Sequence, residues 1–289
     1  VTLHLEGMGW FGAATAFALE RKGIAFTWHD TDVEVRAWPA STGMVYPAGD
    51  ERSARNLDLW WNWHESKLFP AGMVRPVSYV YTHKQPPHEG RYRQDDLGPY
   101  RVGHSAGIAV DVPAIVQAAR LRFVARRIDR ARPGHRVLVA HGFGDRCGAL
   151  RWGWSAEVQL DVPDALQALP YRAAFYSRRG RFQIVYAYVI PTRPGWWWAG
   201  SSLIAQAKDR PRRLDAGKHF DRWLDAWREL WPSVPVIGVG ELTQGWRPVP
   251  VEGDTGTLDM RSVPPLWHSG VRWAPDIVDR LVEVERRRG

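Results

Sequence analysis

Three spaced glycines near the start, Gly7, Gly9 and Gly12, constrain this chain more than any other feature. Thr2–Leu5 before them reads as a short strand. Ala13–Arg21 after them carries Ala and Leu on repeating helical faces, and Gly23 stands where a helix-ending glycine belongs. Ile24–Trp28 reads as a second strand, with Asp30 just beyond it. Strand, glycine turn, helix, strand and acid together form the context in which GxGxxG predicts a dinucleotide site. Gly7 permits the tight turn, Gly9 lets the backbone approach a pyrophosphate, and Gly12 lets the helix pack near the strand. The helix N-terminus offers N–H groups and a positive dipole to the phosphates. Asp30 is placed to accept hydrogen bonds from a ribose diol. A glycine-rich turn that binds nothing is the other reading of the same residues.

The 289 residues allow one large domain or two interleaved ones. No apolar run of about 18 residues is present, so no membrane span is expected. No basic, then apolar, leader is visible, so no signal peptide is expected either. A single cysteine, Cys147, cannot form an internal disulfide or a thiolate cage, which fits a cytoplasmic protein. The His and acidic residues show no metal-ligand spacing, so no metal is expected. The net charge of +8 points to an anionic partner. Nearly all of the basic residues are Arg, the lysines being Lys22, Lys67, Lys84, Lys208 and Lys218.

Further along, Ser53–Lys67 has helical spacing and Val77–Thr82 reads as a strand. Gln85–Gly98 is a charged loop rich in Pro and Gly. Asp111–Ala119 reads as a helix with Asp111 at its N-terminus and Pro113 in its first turn. Arg136–Ala140 is an apolar strand. From Trp152 onward alternating strands dominate: Tyr171–Ser177, Arg181–Val189 and Trp196–Ser201, broken at Gly180 and Gly195. His219–Trp231 and Pro275–Arg288 read as helices, and Gly245-Trp246-Arg247-Pro248 as a segment after a short strand.

These motifs, in this order, resemble the FAD-dependent amine and amino-acid oxidases, the group that contains D-amino-acid, glycine and sarcosine oxidases. Gly7, Gly9, Gly12 and Asp30 match the family's ADP-binding start, and Ser41-Thr42-Gly43 its small-residue segment beside the pyrophosphate. Val110-Asp111-Val112-Pro113 matches a helix opening of the FAD domain. Val137 to Gly142, with Ala140 and Gly142, is similar to the second nucleotide-proximal strand and turn. Trp198 to Ser202, around Gly200, resembles the family's strand end near the flavin, and Gly245 to Pro248 its GxRP motif. Gly270, Val271, Arg272 and Trp273 fall in the C-terminal segment that meets the flavin, although Arg272 and Trp273 stand where small residues are common.

The resemblance implies an α/β fold: a Rossmann-like FAD-binding domain of the glutathione-reductase type with an inserted antiparallel β-sheet substrate domain. It assigns 1–52, 100–150 and 245–289 to the FAD-binding domain, and 53–99 and 151–244 to the substrate domain. It implies FAD as cofactor and hydride removal from a carbon beside an amine. Arg247 matches the arginine that pairs with the substrate carboxylate, though a structural Arg in a turn is the alternative. Tyr186 and Tyr188 are candidates to border the substrate, or ordinary strand residues. His141 reads as a turn histidine, Cys147 as an inert small residue and His219 as a surface or capping residue.

Within the family, the short Trp- and Arg-rich chain is similar to a phage-encoded group acting on glycinylated thymidine in DNA. That would leave 5-aminomethyl-deoxyuridine and glyoxylate, with DNA as partner and the host cytoplasm as location. A basic rim would then hold phosphates: Arg120, Arg122, Arg126, Arg127 and Arg130, then Arg178, Arg179 and Arg181, then Lys208, Arg210, Arg212 and Arg213. The flipped base would stack on Trp196, Trp197, Trp198 or Trp246. Solvated helix faces and core tryptophans are the plainer readings of these residues. A small-molecule glycine or sarcosine-type oxidase, and a non-catalytic flavin- or nucleic-acid-binding protein, remain the alternatives.

Overall fold

The computed structural model describes residues 2–30, 38–41, 43–45, 51–82, 102–140, 147–161, 172–179, 184–193, 195–200, 204–206, 212, 214–230, 234–250 and 274–288. In chain order the elements are β1 (Leu3–Glu6), α1 (Trp10–Arg21), β2 (Phe26–His29), β3 (Gly43–Val45), α2 (Glu51–Glu65), β4 (Val74–Thr82), β5 (Val102–Val110), α3 (Val112–Arg122), β6 (Arg136–Val139), β7 (Cys147–Leu160), β8 (Arg172–Arg179), β9 (Ile184–Arg193), β10 (Trp196–Gly200), β11 (Ile204–Gln206), α4 (Ala216–Leu230), β12 (Val236–Pro250) and α5 (Ala274–Arg288).

The first strands form a parallel sheet in the order β2-β1-β6, with Leu5 opposite Trp28 and Leu138. Helix α1 begins at Trp10, three residues earlier than its alanine periodicity suggests, because Gly9 already serves as its N-cap. It ends as expected: Gly23 has φ +68, and Ile24 N–H donates to the Leu19 carbonyl at 2.9 Å. Helix α3 is capped by Asp111, whose Oδ1 accepts from Ala114 N–H at 3.0 Å. Ala13, Phe17 and Leu19 of α1, Ile115 and Val116 of α3, and Ile277, Val278 and Leu281 of α5 bury the apolar face of the parallel sheet.

A second, larger sheet runs β3-β5-β4-β8-β9-β10-β7, and β7 takes β10 and β11 along one edge and β12 along the other. It is mixed, since β4 and β8 pair in parallel while the other pairs are antiparallel. Strands β3, β5 and β12, which hold 43–45, 102–110 and 245–250, pair within this sheet. Both β3 and β4 pair along β5, and β12 pairs with β7 from Val236 to Pro250. Gly245 to Pro248 therefore lies inside a long strand, not in a turn after a short one. Among the described residues β12 pairs with β7 alone, and a proline is tolerated on the side without ladder bonds.

Alternation gives β7 two faces. Trp152, Trp154, Ala156, Val158 and Leu160 are buried against Phe220, Trp223 and Trp227 of α4. Trp246, opposite Trp152, joins the same cluster and is 5% exposed. It is therefore a core residue and not a surface for stacking a base. Gly43 is demanded by packing: a Cβ there would stand 2.5 Å from the Val110 carbonyl oxygen of β5.

Candidate functional site

The glycine turn has the geometry its spacing implies. Gly7 adopts φ 102, which L side chains rarely adopt. A Cβ on Gly12 would lie 2.0 Å from the Gly7 carbonyl oxygen, so the first turn of α1 rests directly on the loop. Ala140, just past β6, donates its N–H to the Glu6 carbonyl at 2.8 Å and packs beside Gly12. Among the described residues a Cβ on Gly9 would meet only Trp38 Cδ1, at 4.0 Å. Helix α1 has no side-chain cap and no acidic residue in its first turn. Bare backbone at Gly9, a helix N-terminus with unneutralised dipole and a close glycine turn make a cradle for a pyrophosphate. The residues present fit a dinucleotide.

Asp30 lies after β2, as the motif requires, and it is held by Arg120. Arg120 Nη2 donates to Asp30 Oδ2 at 2.5 Å, and Arg120 Nε donates to the Met8 carbonyl at 3.3 Å. The same guanidinium stands 5.1 Å over the Trp38 ring. Arg120 thus ties the glycine loop, the acid and the turn at 38–40 together, and it is not a rim residue awaiting DNA phosphate. Its neighbours remain at the surface: Arg122 pairs with Glu20 at 2.7 Å, and Arg126 lies 3.9 Å from the same carboxylate and over the Phe26 ring. Arg127 stacks on Trp28, and Arg130 and Arg212 are exposed. Ser41 closes the 38–40 turn through its N–H to the Trp38 carbonyl at 3.1 Å.

This turn meets the large sheet. Thr243 Oγ1 donates to the Pro39 carbonyl at 3.1 Å and lies 2.8 Å from Ser155 Oγ. Since Gln244 and Trp246 face the α4 core, Thr243, Gly245 and Arg247 lie on the opposite face, toward the turn. Across the pairing, Thr243 is opposite Ser155, Gly245 opposite Gly153 and Arg247 opposite Arg151. Gly200 is opposite Ser155 on the other side, and Tyr188 opposite Gly200. Three glycines, Gly153, Gly200 and Gly245, therefore leave bare backbone around the Ser155–Thr243 pair. Arg247 is half-buried and sits four residues, about 13 Å of strand, from Thr243. Tyr186 is two positions before Tyr188 and opposite Ser177.

Sequence reasoning missed Thr243, Ser155, Gly153 and Arg151, and named Arg120 only for the basic rim. Only the period-two run of buried residues from Trp152 to Leu160 signalled that their neighbours share a face. Burial raises the Asp111 pKa, partly offset by its bond from Ala114 and by Arg75. His219, read as surface, packs 5.0 Å from the Trp152 ring, and burial lowers its pKa. Thr42, Gly142, Gly270, Val271, Arg272 and Trp273 lie outside the described residues, as do His141, Arg181, Lys208, Arg210 and Arg213. No group of three or more His, Cys, Asp or Glu suited to a metal ion occurs among the described residues, and none of their helices is long and apolar enough to cross a membrane.

No protein-family model matches the sequence, and comparison with curated proteins gives no match. Solved structures do match. Glycine oxidase from Bacillus cereus superposes with TM-score 0.70 at 11% identity, over 100% of this chain and 95% of that one. Iminodiacetate oxidase from Chelativorans gives TM-score 0.66 at 16% identity, over 99% of this chain and 95% of that one. A glycerol-3-phosphate dehydrogenase from Bacillus halodurans, complexed with FAD, gives TM-score 0.62 at 17% identity, over 99% of this chain and 64% of that one. The chain has the fold of these proteins: a Rossmann-like nucleotide-binding part joined to a large β-sheet.

Proposed function

We propose that this chain is an FAD-dependent oxidoreductase that oxidises the carbon beside an amine nitrogen in a substrate bearing a carboxylate. One observation carries the reading. Arg247 lies on the sheet face that Thr243 joins to the turn beside the glycine loop, with glycine backbone between them. The bare cradle at Gly9 and the fold shared with the FAD complex from Bacillus halodurans support the choice of cofactor.

Gly7, Gly9 and the first N–H groups of α1 would hold the pyrophosphate, and Asp30 the ribose hydroxyls. FAD, when bound, supplies the hydride acceptor. The Arg247 guanidinium pairs with the carboxylate bidentately and so fixes the adjacent carbon. Tyr188, next to Gly200 on the same row, is the tyrosine we assign to the substrate border, with Tyr186 beyond it. Loss of hydride from the carbon and a proton from the nitrogen gives an imine. Water then adds to the imine carbon and the C–N bond breaks, which leaves an amine and a carbonyl acid.

The finer reading is a glycine-type secondary amine on a modified thymidine in DNA, cleaved to 5-aminomethyl-deoxyuridine and glyoxylate. The net charge of +8 and the exposed Arg130 and Arg212 favour a polyanionic partner. The competing reading is a small-molecule glycine or sarcosine-type oxidase. It is favoured by the engagement of Arg120 with Asp30 and the Met8 carbonyl, which turns the first arginine of the expected rim inward. The decisive experiment is an anaerobic visible spectrum during titration with a glycinylated-thymidine oligonucleotide, then with free glycine and sarcosine. Bleaching by the oligonucleotide alone supports the DNA reading, and bleaching by the free amines supports the small-molecule oxidase. A flavin band that no amine bleaches, with DNA still bound, leaves a non-catalytic binder.

A further inference from the structure

We infer that Arg151 is a second anion-binding residue of this site, and that the substrate carries two anionic groups rather than one. This deepens the proposed function and rests on it for the identity of the site. Arg151 stands directly opposite Arg247 in the β7–β12 pairing. The flanking pair, Trp152 and Trp246, is buried against α4, so both arginines lie on the other face, the one that carries Ser155 and Thr243. Both are half-buried, unlike the exposed Arg130 and Arg212.

Opposed residues of an antiparallel pair have Cβ atoms roughly 5 Å apart, and like charges in such positions repel. A guanidinium cannot relieve that repulsion by losing its proton. An anion held between or beside the two forks is attracted by both. Each fork presents several N–H donors, so contacts with protein groups still leave donors for a ligand. One carboxylate saturates one fork when it binds edge to edge. The second fork, a few ångströms away, then fits a second anion on the same small molecule. Gly153 and Gly245, the next residues on this face toward the dinucleotide cradle, place no side chain in the way. The second anion is a carboxylate or a phosphate, both of which a guanidinium recognises alike.

The test uses ligands that are not oxidised, so that binding is read apart from turnover. Thiodiacetate carries two carboxylates around a sulfur, and methylthioacetate carries one. Calorimetric titration of the purified protein is expected to show thiodiacetate bound about tenfold more tightly or better, a preference of the size expected for a charge-assisted bond. Arg151→Gln is expected to remove most of that preference while weakening methylthioacetate far less, and Arg247→Gln to weaken both. Arg151→Lys, which keeps the charge, should retain part of the preference and guards against a glutamine variant that does not fold. In a second arm, glycinylthymidine 5′-monophosphate is compared with its nucleoside. A preference lost in Arg151→Gln there identifies the second anion as phosphate. No preference for the dianion with either probe pair, or equal weakening of both thioethers by Arg151→Gln, overturns the inference. Retained dianion binding in a protein whose flavin no amine bleaches would instead remove the oxidoreductase reading and leave the two-arginine site standing.

Discussion

Asp30 and Arg120 form an ion pair of 2.5 Å that links the end of β2 to the last turn of α3. The Asp30 side chain is 14% exposed, so the carboxylate we propose for a ribose diol is already held in place by Arg120. The Arg120 contacts with Met8 and Trp38 extend that order to the glycine loop and the neighbouring turn. Arg120→Met leaves the carboxylate without this cation and loosens all three elements. Hydrogen bonds to charged groups contribute about 1.5–3 kcal/mol, so FAD affinity should fall roughly ten- to a hundredfold. Flavin fluorescence titration of the apoprotein measures this, and unchanged affinity would show that the pair is only structural.

The glycines at 9 and 12 separate folding from cofactor binding. A Cβ on Gly12 collides with the Gly7 carbonyl oxygen, whereas among the described residues a Cβ on Gly9 has only Trp38 Cδ1 near it, at 4.0 Å. Gly12→Ala should therefore lower Tm markedly and lose FAD. Gly9→Ala should keep Tm close to the parent and still lose FAD, because its methyl group occupies the space a phosphate needs. Thermal unfolding of the apoproteins, with flavin content of the same preparations, distinguishes the two. A Gly9→Ala protein that retains full flavin would place the pyrophosphate elsewhere.

The nucleotide half was legible because its signals are local. Gly7, Gly9, Gly12 and Asp30 fall within one short strand–helix–strand unit, and the Asp111 cap lies three residues from the amide it binds. What was missed, in either half, depends on pairings between distant residues. Arg120 and Asp30 are 90 positions apart, and Ser155 and Thr243 are 88 apart. Shifts of register between Val236 and Gly238, and between Val239 and Leu242, break the alternation that would mark β12 as a strand. Its Gly245 and Pro248 then imitate a turn. The same limit misplaced Trp246, whose burial comes from α4 and not from its own segment.

Trp246 supplies a test of that reassignment. It is 5% exposed, in one cluster with Trp152 of β7 and Trp223 of α4. Trp246→Ala should cost about 3–5 kcal/mol of stability, as for a large aromatic removed from a core. Denaturant unfolding measures the loss. At a temperature where the variant stays folded, DNA affinity should match the parent. A variant with parental stability and weakened DNA binding would restore Trp246 to the surface role.

His4 sets a pH dependence of stability. It is fully buried in β1; its Nδ1 lies 2.8 Å from Thr27 Oγ1, and its Nε2 lies 2.7 Å from His29 Nδ1. The Glu6 carboxylate lies 3.8 Å from His29 Nε2. Burial first, then the nearby His29 and His135, lower the His4 pKa from 6.5 to about 4. As pH falls below 6.5 the unfolded chain takes up a proton that the fold resists, so stability declines until both forms are protonated near pH 4. The full loss from this one group is on the order of 3 kcal/mol. His4→Gln, which keeps a donor and an acceptor but does not titrate, should be less stable at neutral pH and show a flatter profile. Guanidinium unfolding of both proteins between neutral pH and pH 4 reads the difference. Parallel profiles would mean that the proton reaches His4 without disturbing the strand pair.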